Sequence, residues 1–229
     1  MVRAILVAGI ALGVAACGAA PPPPPQVKDA PPVEEKVDTG PTSMESDIGG
    51  LNEEAMDQAF ASLDVNGCVV PRVEQLDQLG GELKLKMRID RKGSARWVYV
   101  SRSTLGDREA EKCVLDLVRA KSWPRPLGGE GLAEKDFVVD PRAEPVALDE
   151  RRTMAQVAQA RVDAGKCRKG IRGSFTATVY VRPDGRVAAA GVAVPNEKSE
   201  DVADCMVEAV RKVRFQGAPK PSKLSFEIR

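Results

Sequence analysis

Five cysteines and no histidine set the chemistry open to this 229-residue chain. A thiol can carry lipid, close a disulfide, hold zinc or act as a nucleophile. Without histidine, a Ser-His-Asp or Cys-His nucleophile system cannot be built. The commonest general base and metal ligand is missing as well. The cysteines stand at Cys17, Cys68, Cys113, Cys167 and Cys205. No two form a Cys-x-x-Cys pair, so a zinc site and a redox-active dithiol both lack their usual spacing. Asp and Glu are plentiful, but their spacings mark helix caps and solvated faces. The chain is therefore expected to be no enzyme, to use no cofactor and to hold no metal.

Cys17 has a different setting from the other four. Met1-Val2-Arg3 is a short basic start, and Ala4 to Ala16 is an apolar run that suits a signal peptide and is too short to span a membrane. It ends Val14-Ala15-Ala16-Cys17-Gly18, which resembles a bacterial lipobox. That resemblance implies cleavage of residues 1–16 and acylation of Cys17, with palmitate-type chains holding the mature protein on the membrane. Several chains anchor stably where one binds only marginally. Gly18 stands where an aspartate would suggest inner-membrane retention. The expected location is the cell envelope, on the outer membrane and facing the periplasm. Residues 17–50 hold Pro21 to Pro25, Pro31, Pro32 and Pro41 among acidic residues, a composition that reads as a stiff, extended tether.

The four remaining cysteines fall in a repeat. Adding 92 to a residue number maps Gly93 to Gly185, Ala110 to Val202, Cys113 to Cys205, Val114 to Met206, Val118 to Val210 and Trp123 to Phe215, with no gap. The pattern reads as a tandem duplication of one small domain, 51–142 and 143–229. Four cysteines in an exported chain allow three pairings. Each copy holds one cysteine after its first helix and one within its second. The repeat thus selects Cys68–Cys113 and Cys167–Cys205.

The elements that position them follow from periodicity. In the first copy, Asn52 caps a helix with the stripe Met56, Ala59, Phe60 and Leu63, ending near Asn66-Gly67. Leu83, Leu85, Met87 and Ile89 alternate with Lys84, Lys86 and Arg88 as a half-buried strand, and Ala95 to Ser101 returns. Trp97 and Tyr99 share one face of the returning strand, which reads as core first and as contact surface second. Ala110, Cys113, Val114, Leu117 and Val118 mark an amphipathic helix, and Phe137-Val138-Val139 a closing strand. The second copy repeats the order. Its helix follows Asp149, a strand runs from Phe175 to Val181, Val187 to Val194 returns, a helix carries Cys205, and Leu224 to Ile228 closes. The expected fold is α/β (α+β): two small domains, each helix, hairpin, helix and strand, with a mostly antiparallel sheet and helices on one face.

Charge divides unevenly. Lys and Arg number 2 against 9 Asp and Glu over residues 17–62, 15 against 15 over 63–149, and 16 against 9 over 150–229. Lys166, Arg168, Lys169 and Arg172 form a candidate basic patch for peptidoglycan or another anionic glycan. No aromatic-basic interleaving points to nucleic acid, and the export signal opposes it.

The first copy is similar to the TonB C-terminal-like domain of the AgmX/PglI type, found in envelope proteins of gliding myxobacteria. The residues that carry this are Gly93 in its hairpin turn, Ser103-Thr104-Leu105-Gly106-Asp107 before the helix, Cys113 within it, and Trp123-Pro124-Arg125-Pro126-Leu127-Gly128-Gly129 after it. The second copy keeps Gly185, Cys205 and Phe215 and departs at Val194-Pro195-Asn196 and Gln216-Gly217-Ala218-Pro219. The resemblance implies binding in place of catalysis. Such domains grip envelope protein partners partly by strand addition to an open sheet edge. The chain would then be an adaptor within a motility, secretion or transport complex, with its contact surface at the last strand of either copy, around Phe137 or Phe226. The relative packing of the copies is left open by sequence.

Overall fold

A computed structural model describes residues 37–45 and 50–229. The leader, Cys17 and the prolines from Pro21 to Pro32 lie outside the described residues. Along the chain come β1 (Thr42–Glu45), α1 (Glu53–Ala61), α2 (Val65–Gln75), β2 (Gly81–Ile89), β3 (Ala95–Ser103), α3 (Arg108–Ala120) and β4 (Gly131–Val139). The second copy continues with β5 (Val146–Ala147), α4 (Met154–Gly165), β6 (Phe175–Val181), β7 (Val187–Ala193), α5 (Glu200–Arg211) and β8 (Ser222–Ile228). Among the described residues these form two four-stranded sheets, ordered β1-β4-β2-β3 and β5-β8-β6-β7, with every pairing antiparallel but β5–β8. The fold class is mixed α/β, built as two similar halves.

Each residue kept in register by the repeat has a physical task. Gly93 and Gly185 both adopt φ +84°, and a side chain there would meet the carbonyl oxygen of Trp123 or Phe215 at 2.3 Å. The same close approach carries a hydrogen bond, from Trp123 N–H to Gly93 O at 2.7 Å and from Phe215 N–H to Gly185 O at 2.9 Å. Only glycine tolerates both the left-handed backbone and the contact. The aromatic side chains then point into the cores, where Trp123 lies 4.5 Å from the Phe60 ring and Phe215 lies 6.3 Å from Phe226.

Two elements depart from the sequence reading. Helix α2 follows α1 directly and carries Cys68, where a loop is expected after Asn66-Gly67. Asp64 caps it by accepting the Gly67 N–H at 3.0 Å, so the Asn-Gly pair lies in its first turn and Pro71 sits further inside. Strand β1 falls in the stretch read as tether. Thr42 to Glu45 pair with Lys135 to Leu132 of β4, so part of that acidic, Pro-rich stretch is built into the first sheet.

The two halves share a boundary, and each contributes to the other's core. Tyr180, Ala189 and Ala193 of the second copy pack into the first core, and Tyr99 of the first copy packs into the second. The small residues Ala189, Gly191 and Ala193 let β7 approach α3 closely. The Val194 N–H donates to Val100 O at 2.8 Å, which ties the end of β7 to β3. The Tyr180 hydroxyl donates to Gly80 O at 2.7 Å and accepts from Gly80 N–H at 3.1 Å.

Candidate functional site

Cys68 bonds to Cys113 and Cys167 to Cys205, each pair within one copy. The first ties α2 to α3. The second ties the turn at Lys166–Arg168, just beyond α4, to α5. With their thiols in disulfides, these four cysteines offer no nucleophile or thiolate ligand. No group of three or more His, Cys, Asp or Glu among the described residues is arranged to hold a metal ion.

The basic patch is only partly available. Arg168 folds back on its own loop, donating to Ile171 O at 3.2 Å and Gly173 O at 2.7 Å, with its guanidinium 5.4 Å from the Phe175 ring centre. Lys166 pairs with Asp163 at 2.6 Å. Lys169 takes a left-handed turn with φ 49°, and it and Arg172 are exposed. The four residues therefore lie along one loop but do not form one converging cation cluster.

The two last strands differ in a way sequence does not show. Phe137 is fully buried, and its strand β4 is paired on both sides, by β2 and by β1. That strand therefore offers no open edge. Strand β8 is paired with β6 along its length, but on its other side β5 covers only Ser222 and Lys223. The outward direction of its backbone is visible from its partners. Pro221 O accepts from Val146 N–H, Lys223 O from Leu148 N–H, and Glu227 O from the Arg161 side chain at 2.7 Å. Backbone groups alternate along a strand, so Ser225, midway between Lys223 and Glu227, also faces outward. No strand covers it among the described residues. Beside this edge, α4 exposes Met154 at 61% and Val162 at 60%. Met154 and Ala158 lie seven and three residues before Arg161, on the side of the helix that reaches β8.

A polar cluster fills the junction between the copies. Arg72 holds Asp107 at 2.7 Å, and Asp107 caps α3 by accepting the Ala110 N–H at 2.9 Å. Arg108 reaches across to Glu200 at 2.7 Å and Asp204 at 2.6 Å. Glu111 is fully buried, accepts from Ser103 Oγ at 2.6 Å through Oε1, and faces Gly191 of β7. Its Oε2 has no hydrogen-bond partner. Burial pushes its carboxyl up to about 7, against the pull of the Ser103 hydrogen bond and Arg108. Sequence reading places Glu111 on a helix beside apolar positions and gives no sign of this. Its burial depends on the second copy covering it.

No family model, curated protein or solved structure matches this chain.

Proposed function

We propose that the chain is a lipid-anchored adaptor of the bacterial cell envelope, a non-catalytic part of a multiprotein complex. It would engage a protein partner by accepting an extended segment on the outer edge of β8. One comparison between the copies carries this reading. Ala133 of β4 pairs with Met87 as Leu224 of β8 pairs with Val179, and Lys135 pairs with Leu85 as Phe226 pairs with Ala177. The stretch Leu224–Phe226 is thus the counterpart of Ala133–Lys135. In the first copy that stretch is covered by β1, a short antiparallel segment from elsewhere in the chain. In the second copy no strand covers the same place among the described residues. The first copy displays the kind of occupant the second lacks.

Main-chain hydrogen bonds supply affinity in strand addition, and side-chain pockets beside the edge supply specificity. Ser225 offers the backbone groups, and Met154 offers apolar surface to side chains of the added strand. The acyl chains expected on Cys17 would hold this edge near a membrane, where an envelope partner can reach it.

A photo-crosslinking residue at Glu227, with the chain expressed in its native host, tests the reading. The expected result is a stoichiometric crosslink to one envelope protein, abolished by Ser225→Pro. Proline there removes an outward N–H and obstructs an incoming strand while leaving the β6 pairing intact. A crosslink that persists in Ser225→Pro would count against strand addition.

A further inference from the structure

The chain holds two tryptophans and two tyrosines. Two of the four have their polar ends satisfied inside the fold. Trp123 Nε1 donates to Val118 O at 2.9 Å, and the Tyr180 hydroxyl is held by the Gly80 backbone. The other two do not. Neither the Trp97 indole N–H nor the Tyr99 hydroxyl has a hydrogen-bond partner among the described residues, and neither atom is sealed in the interior. Tryptophan and tyrosine usually find such partners when buried. Here both side chains line the same groove.

That groove lies on the open face of the first sheet and has a volume of about 300 Å³, at the small end of the range for small-molecule sites. The two rings stand 5.7 Å apart, tilted by 44°. Trp97 is half-buried and Tyr99 is 8% exposed, with its other side in the second core. Lys86 and Arg88 stand opposite them across the hairpin, Glu134 comes from β4, and Glu197 from the second copy closes one wall. Burial raises the Tyr99 hydroxyl above its ordinary range, with Glu197 and Glu134 adding to the rise and Lys86 opposing it.

Three features select a ligand class. The lining carries two cations and two carboxylates, so it has no net charge with which to gather an ion. The charged ends are pre-oriented: Lys86 pairs with Glu134, and Arg88 Nε lies 2.5 Å from the Glu130 carboxylate. Lastly, β2 and β4 on the floor are each paired on both sides, and β3, the edge strand that carries the two rings, already has its Val100 carbonyl taken by the Val194 N–H, which shortens the backbone ladder left for an extended peptide. An aromatic face beside fixed donors and acceptors, without net charge, suits a pyranose ring. Its C–H face can cover the indole while its hydroxyls meet the polar rim.

We propose that this groove binds a short uncharged glycan, with one sugar ring stacked on Trp97 and hydroxyls hydrogen-bonded to Tyr99 Oη and the ion-paired rim. The site is separate from the β8 edge and uses side chains where that edge uses backbone.

The test uses the purified full chain in detergent with Trp123→Phe, which leaves Trp97 as the sole tryptophan reporter. It is titrated to millimolar concentration with neutral oligosaccharides of β-1,4-linked N-acetylglucosamine, glucose and mannose and of α-1,4-linked glucose. Acidic glycans and an extended peptide serve as comparisons. The expected result is a saturable change in Trp97 emission with at least one neutral glycan. Tyr99→Phe keeps the ring that packs into the second core, and should weaken that binding roughly tenfold, as loss of one well-placed hydrogen bond does. Trp97→Ala, folded by circular dichroism and titrated beside the parent by isothermal calorimetry because it has no tryptophan left to report, should abolish it. The proposal is overturned if none of the neutral glycans changes the emission, if Tyr99→Phe binds as the parent does, or if only acidic glycans or the peptide bind.

Discussion

Glu111→Gln should change how stability depends on pH, and the size of the change follows from where the residue sits. Its carboxyl is fully buried between α3 and β7, with Ser103 donating to one oxygen, and Asp107, Arg108 and Glu200 nearby. In the folded protein it ionises at about 7, against an ordinary value of 4.5. Between those values the folded protein holds a proton that the unfolded chain has released. Stability therefore falls as pH rises from about 4.5 to about 7 and levels off above. At about 1.4 kcal/mol per pH unit, the interval is worth about 3 kcal/mol. Other carboxylates act in the opposite direction and at lower pH. Asp57, held below its usual range by its Thr42 hydrogen bond, contributes stability that is lost as pH falls.

Comparing the variant with the parent removes those shared contributions. Urea unfolding of both proteins, disulfides intact, should be followed by circular dichroism at intervals from pH 4.5 to 8.5. The glutamine variant should gain on the parent by about 3 kcal/mol across that range. With a urea slope of about 2 kcal/mol/M, its midpoint should move up by about 1.5 M relative to the parent. If parent and Glu111→Gln keep parallel stability curves over the whole interval, the carboxyl is not protonated at the junction and the reasoning fails.

The disulfides should contribute comparably. They join residues 45 and 38 apart, so replacing either pair by serine should cost about 4 kcal/mol in the chain-entropy account, read as a lowered urea midpoint under oxidising conditions. Gly185→Ala should destabilise by about 2 kcal/mol or more, because it meets both a φ of +84° and a carbonyl at 2.3 Å. Gly165→Ala, at the end of α4 with open space around it, should instead be neutral or stabilising by up to about 1 kcal/mol. Both are read as shifts in thermal midpoint. Tyr180→Phe should cost about 1–3 kcal/mol by leaving the Gly80 N–H without its acceptor, measured by urea unfolding and by faster amide exchange at Gly80.

Much of the fold was legible because the repeat marks residues with separate physical tasks. The glycine is required by a turn that touches the backbone after the helix, the cysteine by a covalent link, and the aromatic by the core. Apolar alternation at Leu83, Leu85, Met87 and Ile89 placed β2, since each side chain there is buried. The missed helix α2 has a local reason. Asn66-Gly67 and Pro71 are turn signals, and the Asp64 cap outweighs them. The missed β1 has a longer-range one. Thr42-Ser43-Met44-Glu45 has no strong strand pattern and takes its conformation from β4. The Trp97 face reads from sequence as core first and as contact surface second. Tyr99 meets that expectation only because the second copy covers it, while Trp97 lines the groove. Contacts between copies were not legible at all. Thr178 and Tyr180 alternate with Val179 and Val181 as a wet face would, yet both are buried against the first copy.

That junction also explains why a duplicated chain need not carry duplicate surfaces. Two identical copies would present two open sheet faces and two open edges. Here the outer face of the second sheet, with Thr178, Tyr180 and the small residues of β7, packs against the first copy. The corresponding face of the first sheet stays open, and its charges pair across strands, Lys84 with Glu134 and Asp136 and Arg88 with Glu130. At the edges the situation reverses, because β1 covers the first sheet and leaves β8 of the second open. Among these surfaces the first copy keeps a sheet face, and the second keeps the edge of its last strand. A sheet face presents side chains and an edge presents backbone, so the two remaining surfaces cannot compete for the same kind of ligand. On the two proposals made above, this difference in chemistry would give one chain two non-equivalent contacts. It also predicts that Ser225→Pro and Tyr99→Phe act independently, each impairing its own surface and leaving the other unchanged.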